Sequence, residues 1–125
     1  MSYDEANAYT WLYTLPMDTT VFEFCSPNAD TRVMAYDKLA FSWDKDVLDF
    51  RKKEKIMNHT NSELYSFLKQ KKFDYFIIDG YCIFHQGVNA TNNRLQEIGN
   101  DQAKFQLVYK SDTVGVPFIF KIIYR

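Results

Sequence analysis

The stretch "FDYFIIDGYCIFHQG", Phe73 to Gly87, decides the architecture of this chain. Its first half, "FDYFIID", is almost continuously apolar and rich in aromatic and β-branched residues, the pattern of a strand covered on both faces. Before it, Thr60 and Glu63 have the spacing of a capping box. They open a helix whose Leu64, Phe67 and Leu68 recur on one side and whose end is rich in lysine. A helix that leads the chain into a doubly buried strand is the repeating unit of an α/β fold. The run then meets Asp79 and Gly80, which predict the end of the strand. Tyr81, Cys82, Phe84 and His85 are thereby carried into a loop just past it.

Reading outward toward the C-terminus, "NATNNRLQEIGN" predicts a short helix with Leu95 and Ile98 facing inward and Gly99 at its C-cap. The tail "FQLVYKSDTVGVPFIFKIIYR" divides at "SDTVG" into the two strands of a terminal hairpin. Pro117, which lacks a ladder donor, belongs at a strand start or an edge.

Toward the N-terminus, Ser2 and Glu5 match a second capping box, and Tyr9, Leu12 and Tyr13 fall on one helical face before Pro16, so a first helix ends near Thr14. "TTVFEFC" and "RVMAY" predict two short strands flanking "SPNAD", their relative direction left open. "AFSWDKDVLDFRKK" predicts a helix from about Ser42 with Trp43, Val47 and Phe50 or Leu48 inward. "EKIMNHT" fits either a short strand or the frayed end of that helix, and is assigned as strand. These elements sum to one three-layer α/β domain over residues 1–125, with a mixed, mostly parallel sheet and a C-terminal antiparallel hairpin.

Composition bounds the function classes. The 125 residues fit one domain, and 46% hydrophobic content with 18% aromatics supports one packed core. Fifteen basic residues against sixteen acidic ones leave a formal charge of −1, which gives no global field for nucleic acid or an anionic membrane. The basic stretches Arg51-Lys52-Lys53 with Lys55, and Lys69 with Lys71-Lys72, sit where helices end, and read as solvated complements of the helix dipole. No apolar run approaches the roughly 18 to 20 residues that span a bilayer, and "MSYDEANAY" lacks the pattern of a secretion signal.

In open α/β sheets ligands settle outside the carboxyl ends of parallel strands, which here places the candidate binding edge at Asp79 to Asn89. Tyr81 and Phe84 are suited to stacking on a sugar or base, and Asp79, His85 and Asn89 to bonding hydroxyls; the competing reading has the aromatics covering the core beneath them.

Cys82 and His85 form a C-x-x-H that Cys25 and His59 would have to complete for a tetrahedral metal site. The spacing lacks the two tight ligand pairs of structural zinc, and no metal is assigned. No thiol nucleophile motif surrounds Cys82. Two buried free thiols are the default expectation for Cys25 and Cys82, whereas parallel neighbouring strands in an oxidising compartment would allow a disulfide between them. Asp37, Asp44, Asp46 and Asp49 read as a solvated acidic face rather than as paired catalytic carboxylates. Asn58-His59-Thr60 and Asn89-Ala90-Thr91 are glycosylation acceptor patterns in predicted surface segments. No catalytic residue and no cofactor is assigned.

Three stretches, "AYTWLYTLPMDTTVFEF" (8–24), "SELYSFLKQKKFDYFIIDG" (62–80) and the tail "FQLVYKSDTVGVPFIFKIIYR" (105–125), carry a family resemblance. In their order and character they resemble the water-soluble C-terminal domain of GT-C type multi-pass membrane glycosyltransferases, the group of oligosaccharyl and protein mannosyl transferases. The resemblance implies a non-catalytic domain on the extracytoplasmic face of the membrane, excised from a larger membrane protein. It implies contact with that parent's transmembrane region and with a glycan or a lipid-linked sugar donor or acceptor, and the catalytic acids lie in the membrane part. The acceptor motif "WWDYG" of the oligosaccharyl branch is absent; "SWDKD", Ser42 to Asp46, is only faintly similar to it. The alternative is a freestanding cytoplasmic α/β module that binds a small ligand at the Asp79 to Asn89 edge.

Overall fold

The structure is a computed structural model that describes residues 3–16, 18–25, 45–110 and 117–124. In chain order the elements are α1 (Tyr3–Tyr13), β1 (Val21–Glu23), α2 (Lys45–Phe50), α3 (Asn61–Gln70), β2 (Tyr75–Ile78), α4 (Gly80–Gln86), α5 (Val88–Gly99), β3 (Phe105–Lys110) and β4 (Phe118–Ile122). The four strands form one sheet in the order β1-β2-β4-β3. β1 and β2 are parallel, with Phe22 opposite Phe76; β4 runs antiparallel to both β2 and β3, with Phe76 opposite Phe120. This is the α/β class with a mixed sheet and a C-terminal hairpin that the sequence predicts.

The period-2 alternation of the strands divides the interior into two cores. Phe22, Phe76, Ile78, Phe120 and Ile122 face one way, into a cluster completed by Leu64, Phe67 and Leu68 of α3 and Leu95 and Ile98 of α5. Val21, Ile77 and Ile119 face the other way and meet Ala8, Tyr9 and Leu12 of α1. Helices therefore cover both faces, which is why β2 can be apolar at nearly every position.

The local chemistry explains the element ends. The Thr60 side chain accepts from the Glu63 amide at 3.0 Å while the Glu63 carboxylate accepts from the Thr60 amide at 2.9 Å, the reciprocal bonds of a capping box. At the other end of α3 the Phe73 amide bonds to the Leu68 carbonyl at 2.9 Å and the Lys72 amide to that of Lys69 at 3.1 Å. Lys72 sits at φ 62°. That is a Schellman ending with a lysine in the left-handed position where glycine is favoured. Pro117 directly precedes β4 and is buried there.

Four expectations are corrected and one pair of alternatives is decided. "EKIMNHT" is a series of turns in which Ile56 is buried and its neighbours are half-buried or exposed, so no alternating strand forms. Tyr13 is exposed and Ala8 takes its place in the α1 stripe. Of the alternatives Phe50 and Leu48, Leu48 is exposed, and Phe50 faces inward with Val47 as the first alternative had it. α5 runs through Gly99, and Asn100 is its C-cap in a right-handed conformation. Finally, Tyr81 to His85 are on helix α4 and not in a loop. The predictions for Ser2, "SPNAD", "RVMAY", Ser42, Trp43 and the "SDTVG" turn fall outside the described residues.

Candidate functional site

The carboxyl ends of the parallel pair β1 and β2 open onto α4. Asp79 leaves β2 in an extended conformation and caps this helix, its Oδ1 accepting from the Tyr81 amide at 3.0 Å. Its Oδ2 accepts from the Tyr9 hydroxyl of α1 at 2.8 Å, across 70 residues of sequence. Asp79 is 4% exposed, and so holds two helices in place instead of being offered to a ligand.

On its other side α4 is fixed covalently. Cys82 and Cys25, the latter just past β1, form a disulfide with Cα atoms 5.3 Å apart. The default of two free thiols is thus replaced, because the parallel pairing of β1 and β2 brings both chain exits to one edge. The bond consumes both sulfurs, so neither the C-x-x-H metal set nor a thiol nucleophile is formed from them. His59 lies elsewhere, stacked on Phe50 with centroids 3.8 Å apart and its Nε2 3.0 Å from the Phe50 carbonyl oxygen.

With Cys82 turned inward, the helical period turns Tyr81, Phe84 and His85 out together. The His85 ring lies 4.7 Å from that of Tyr81 and 5.1 Å from that of Phe84, and Tyr81 and Phe84 are 6.3 Å apart. Phe84 is 82% exposed, the most exposed large apolar side chain among the described residues. Of the two readings of these rings, covering the core is therefore excluded for Phe84, while Tyr81 and His85 are half-buried. The three form an aromatic ledge over the edge, a surface suited to stacking on the apolar face of a planar or ring-shaped ligand.

α4 ends at Gly87, whose φ of 90° lets the chain turn at once into α5. Exposed Val88 and Asn89 open that helix beside the ledge, and buried Thr91 donates to the Gly87 carbonyl at 2.8 Å.

Next to the ledge is a notch of about 160 Å³ lined by Cys25, Arg51, Lys53, Ile56, His85 and Gln86. Its walls are joined where Gln86 Nε2 donates to the Lys53 carbonyl at 2.8 Å. Arg51 is buried, contrary to the expectation of a solvated basic stretch. Its Nε donates to the Glu23 carbonyl at 2.8 Å and its guanidinium lies 4.9 Å from the centre of the Phe22 ring.

Sequence reasoning missed Tyr9, Arg51, Lys53 and Gln86, whose roles depend on separations it does not report. The one available signal was Asp79 before a possible helix start. A larger groove of about 520 Å³ lies between α5 and the hairpin, lined by Leu95, Phe105, Leu107 and Phe118 among others, and among the described residues no charged side chain borders it.

Asp46 pairs with Lys71 at 3.0 Å and Asp49 with Lys52 at 3.4 Å, while Asp37 and Asp44 lie outside the described residues. Asn58 is exposed and donates to the Glu54 carbonyl at 3.1 Å. Among the described residues no group of three or more His, Cys, Asp or Glu side chains is arranged to hold a metal ion, and no helix is long and apolar enough to cross a membrane. No family model matches the chain, and no curated protein matches its sequence.

Proposed function

We propose that this chain is the extracytoplasmic, non-catalytic domain of a polytopic membrane glycosyltransferase, in which the ledge of Tyr81, Phe84 and His85, with Asn89 beside it, shapes the approach of a saccharide. The observation that carries this reading is the Cys25–Cys82 disulfide, which fixes the ledge helix to the end of β1. Disulfides persist in oxidising compartments and are rare where thiols are kept reduced, which favours the extracytoplasmic location over a cytoplasmic ligand-binding module. An exposed phenylalanine flanked by a tyrosine and an imidazole supports a sugar-contacting role, since ring faces stack on carbohydrate and polar tips bond hydroxyls. The transmembrane region of the parent chain supplies the catalytic acids and binds the lipid-linked sugar.

Two measurements test the reading. Thiols are first alkylated in intact cells before lysis. Cys25 and Cys82 should be recovered unalkylated unless reductant is added, and alkylation of both without reductant refutes the location. The chain is then titrated with neutral and acidic oligosaccharides and followed by amide chemical shifts. The Tyr81→Ala, His85→Ala double variant should weaken binding while its melting temperature stays within a few degrees. A large loss of stability would make those side chains structural, and binding to lipid vesicles in place of saccharides would make the ledge a membrane contact.

A further inference from the structure

We propose that Asn58 is an N-glycosylation site, its carboxamide the acceptor of an oligosaccharide from a lipid-phosphate-linked donor, and that Asn89, which stands in the same sequence pattern, is left bare. The inference rests on the extracytoplasmic location read from the Cys25–Cys82 disulfide, because this pattern is glycosylated on exported chains. It adds a modification in which the ledge takes no part. In the reaction Asn58 Nδ2 attacks the anomeric carbon of the donor and forms an N-glycosidic bond to it. The bond from that carbon to the phosphate oxygen breaks, and the lipid phosphate leaves with the electron pair. Nδ2 gives up one proton, which a base of the transferase takes.

The sequence contains the acceptor pattern at Asn58-His59-Thr60 and again at Asn89-Ala90-Thr91, and the fold treats the two differently. The pattern demands a hydroxyl two residues after the asparagine, so both ends of the triplet must be presented. Asn58 and Thr60 are both exposed and lie in the turns between α2 and α3. Thr60 has extended backbone, φ −69° and ψ 162°. Its Oγ1 accepts from the Glu63 amide at 3.0 Å, a bond that does not use the hydroxyl proton. Asn58 Nδ2 carries two protons and gives one to the Glu54 carbonyl at 3.1 Å in an exposed contact. At the second triplet Asn89 is exposed, but Thr91 is 0% exposed and its hydroxyl proton is committed to the Gly87 carbonyl at 2.8 Å. All three of its residues belong to α5.

Presentation to a transferase requires local opening, and exposed turns open at lower free energy than a helix packed on a core. For the first triplet the opening releases the Thr60 cap and the stack of half-buried His59 on Phe50. For the second it unwinds the first turn of α5, exposes Thr91 and disturbs the junction at Gly87, next to a helix held by the disulfide. The placement is also compatible with the ledge. A glycan on Asn89 would stand where the saccharide is read to approach, and leaving that asparagine bare keeps the ledge open.

Glycopeptide mass mapping of the full protein, isolated from the cells that make it, is the test. Trypsin places the two asparagines on separate peptides, 56–69 and 73–94. Peptide 56–69 should carry an added oligosaccharide mass in most copies, and peptide 73–94 none. Asn58→Gln and Thr60→Ala should each abolish the added mass. Thr60→Ser should retain it, since serine supplies the same hydroxyl and the same cap, and Asn89→Gln should leave it unchanged.

An unmodified peptide 56–69, from protein whose Cys25–Cys82 bond is intact, overturns the inference and leaves the location standing. Added mass that survives Asn58→Gln marks another acceptor on that peptide and overturns it as well. An oligosaccharide on Asn89, with or without one on Asn58, overturns the distinction between the two triplets and with it the inference. Alkylation of both thiols in intact cells without reductant removes the location on which the inference rests.

Discussion

On one face of the sheet Phe22, Phe76 and Phe120 lie side by side in register across three strands, under a cover shared by α3 and α5. On the opposite face Val21, Ile77 and Ile119 meet, among the described residues, a single helix, α1. The broad face is rich in stacked and edge-on rings, Phe76 lying 5.1 Å from Phe120 and 5.5 Å from Phe105, while the narrow one is aliphatic apart from Tyr9 and the rings at its margin. Both faces converge on the same four residues, 79 to 82. The narrow face holds that segment by a hydrogen bond from Tyr9 to Asp79, and the broad face holds it by the disulfide at Cys82. A seven-residue helix that begins with glycine and carries aromatics is too short and too poor in helix formers to persist alone. Its position is therefore a product of two clamps of different strength, one from each core.

Breaking the stronger clamp has the largest expected effect. Removal of a bond spanning 57 residues, by the Cys25→Ala, Cys82→Ala double variant, should lower stability by about 4 kcal/mol, chiefly through the entropy regained by the unfolded chain. Urea unfolding of the oxidised wild type and the variant measures it. The weaker clamp is probed by Tyr9→Phe, which removes one buried hydroxyl bonded to a carboxylate and should cost about 2 kcal/mol. The two variants differ further in hydrogen exchange. Tyr9→Phe should accelerate the amides of Tyr81 and Cys82 more than those of β4, because the Asp79 cap loses its anchor while the covalent clamp remains. Uniform acceleration across the chain would mean that the clamp is not local.

The broad face has a weakness at one cation. Arg94 of α5 is only 2% exposed, and its Nε and Nη2 have no hydrogen-bond partner among the described residues. Its Nη1 lies 3.4 Å from the largely exposed Glu97 carboxylate. Burial pushes its guanidinium below the ordinary arginine range, with Glu97 and then Glu63 opposing that shift. Buried cations so poorly satisfied are often better replaced by an apolar chain of similar length. Arg94→Met should accordingly raise stability by about 1 kcal/mol, read as a melting temperature higher by about 4 °C, whereas Arg94→Ala should lower it by leaving a void. Destabilisation by both changes would show that the guanidinium is worth more than its unmet bonds indicate.

These clamps also mark the limit of what the sequence discloses. Thr60 and Glu63 are three residues apart and satisfy each other, so that helix start was visible without the fold, as was β2 from its unbroken apolar run. The same holds for Leu64, Phe67, Leu95 and Ile98, whose burial follows from local periodicity. By contrast α4 exists because of Tyr9 and Cys25, 70 and 57 residues away from their partners, and "GYCIFHQ" has no local preference strong enough to announce a helix. Arg51 and Arg94 look like any surface cation in the sequence, since the carbonyl, ring and helix that bury them come from other elements. The site edge was legible from Asp79 onward. What each of its residues does there was not: Asp79 is taken by the fold, Lys53 lies in the turns just past α2 where pattern alone ended a helix, and Gln86 lies on a helix that pattern alone read as a loop.

The smallest effect separates the broad face's local cap from its long-range packing. Hydrogen bonds from the Thr60 backbone, and then from its side chain, hold the Glu63 carboxyl below its ordinary value of 4.5, with His59 and Arg94 adding favourable charge. A carboxyl depressed in the folded state stabilises fully above its unfolded value, and that contribution is lost as pH falls from 4.5 through the folded value. Glutamine at the same position keeps the reciprocal geometry of the cap but does not titrate. The stability difference between wild type and Glu63→Gln should therefore be constant from neutral pH down to about 5 and should shrink below 4.5, where the wild type loses what the variant never had. Melting temperatures of both proteins between pH 3 and pH 7 decide it. Parallel pH curves would show that the Thr60 cap favours the neutral and ionised carboxyl equally. In that case the stability of the α3 start rests on the packing of Leu64, Phe67 and Leu68 and not on its charge.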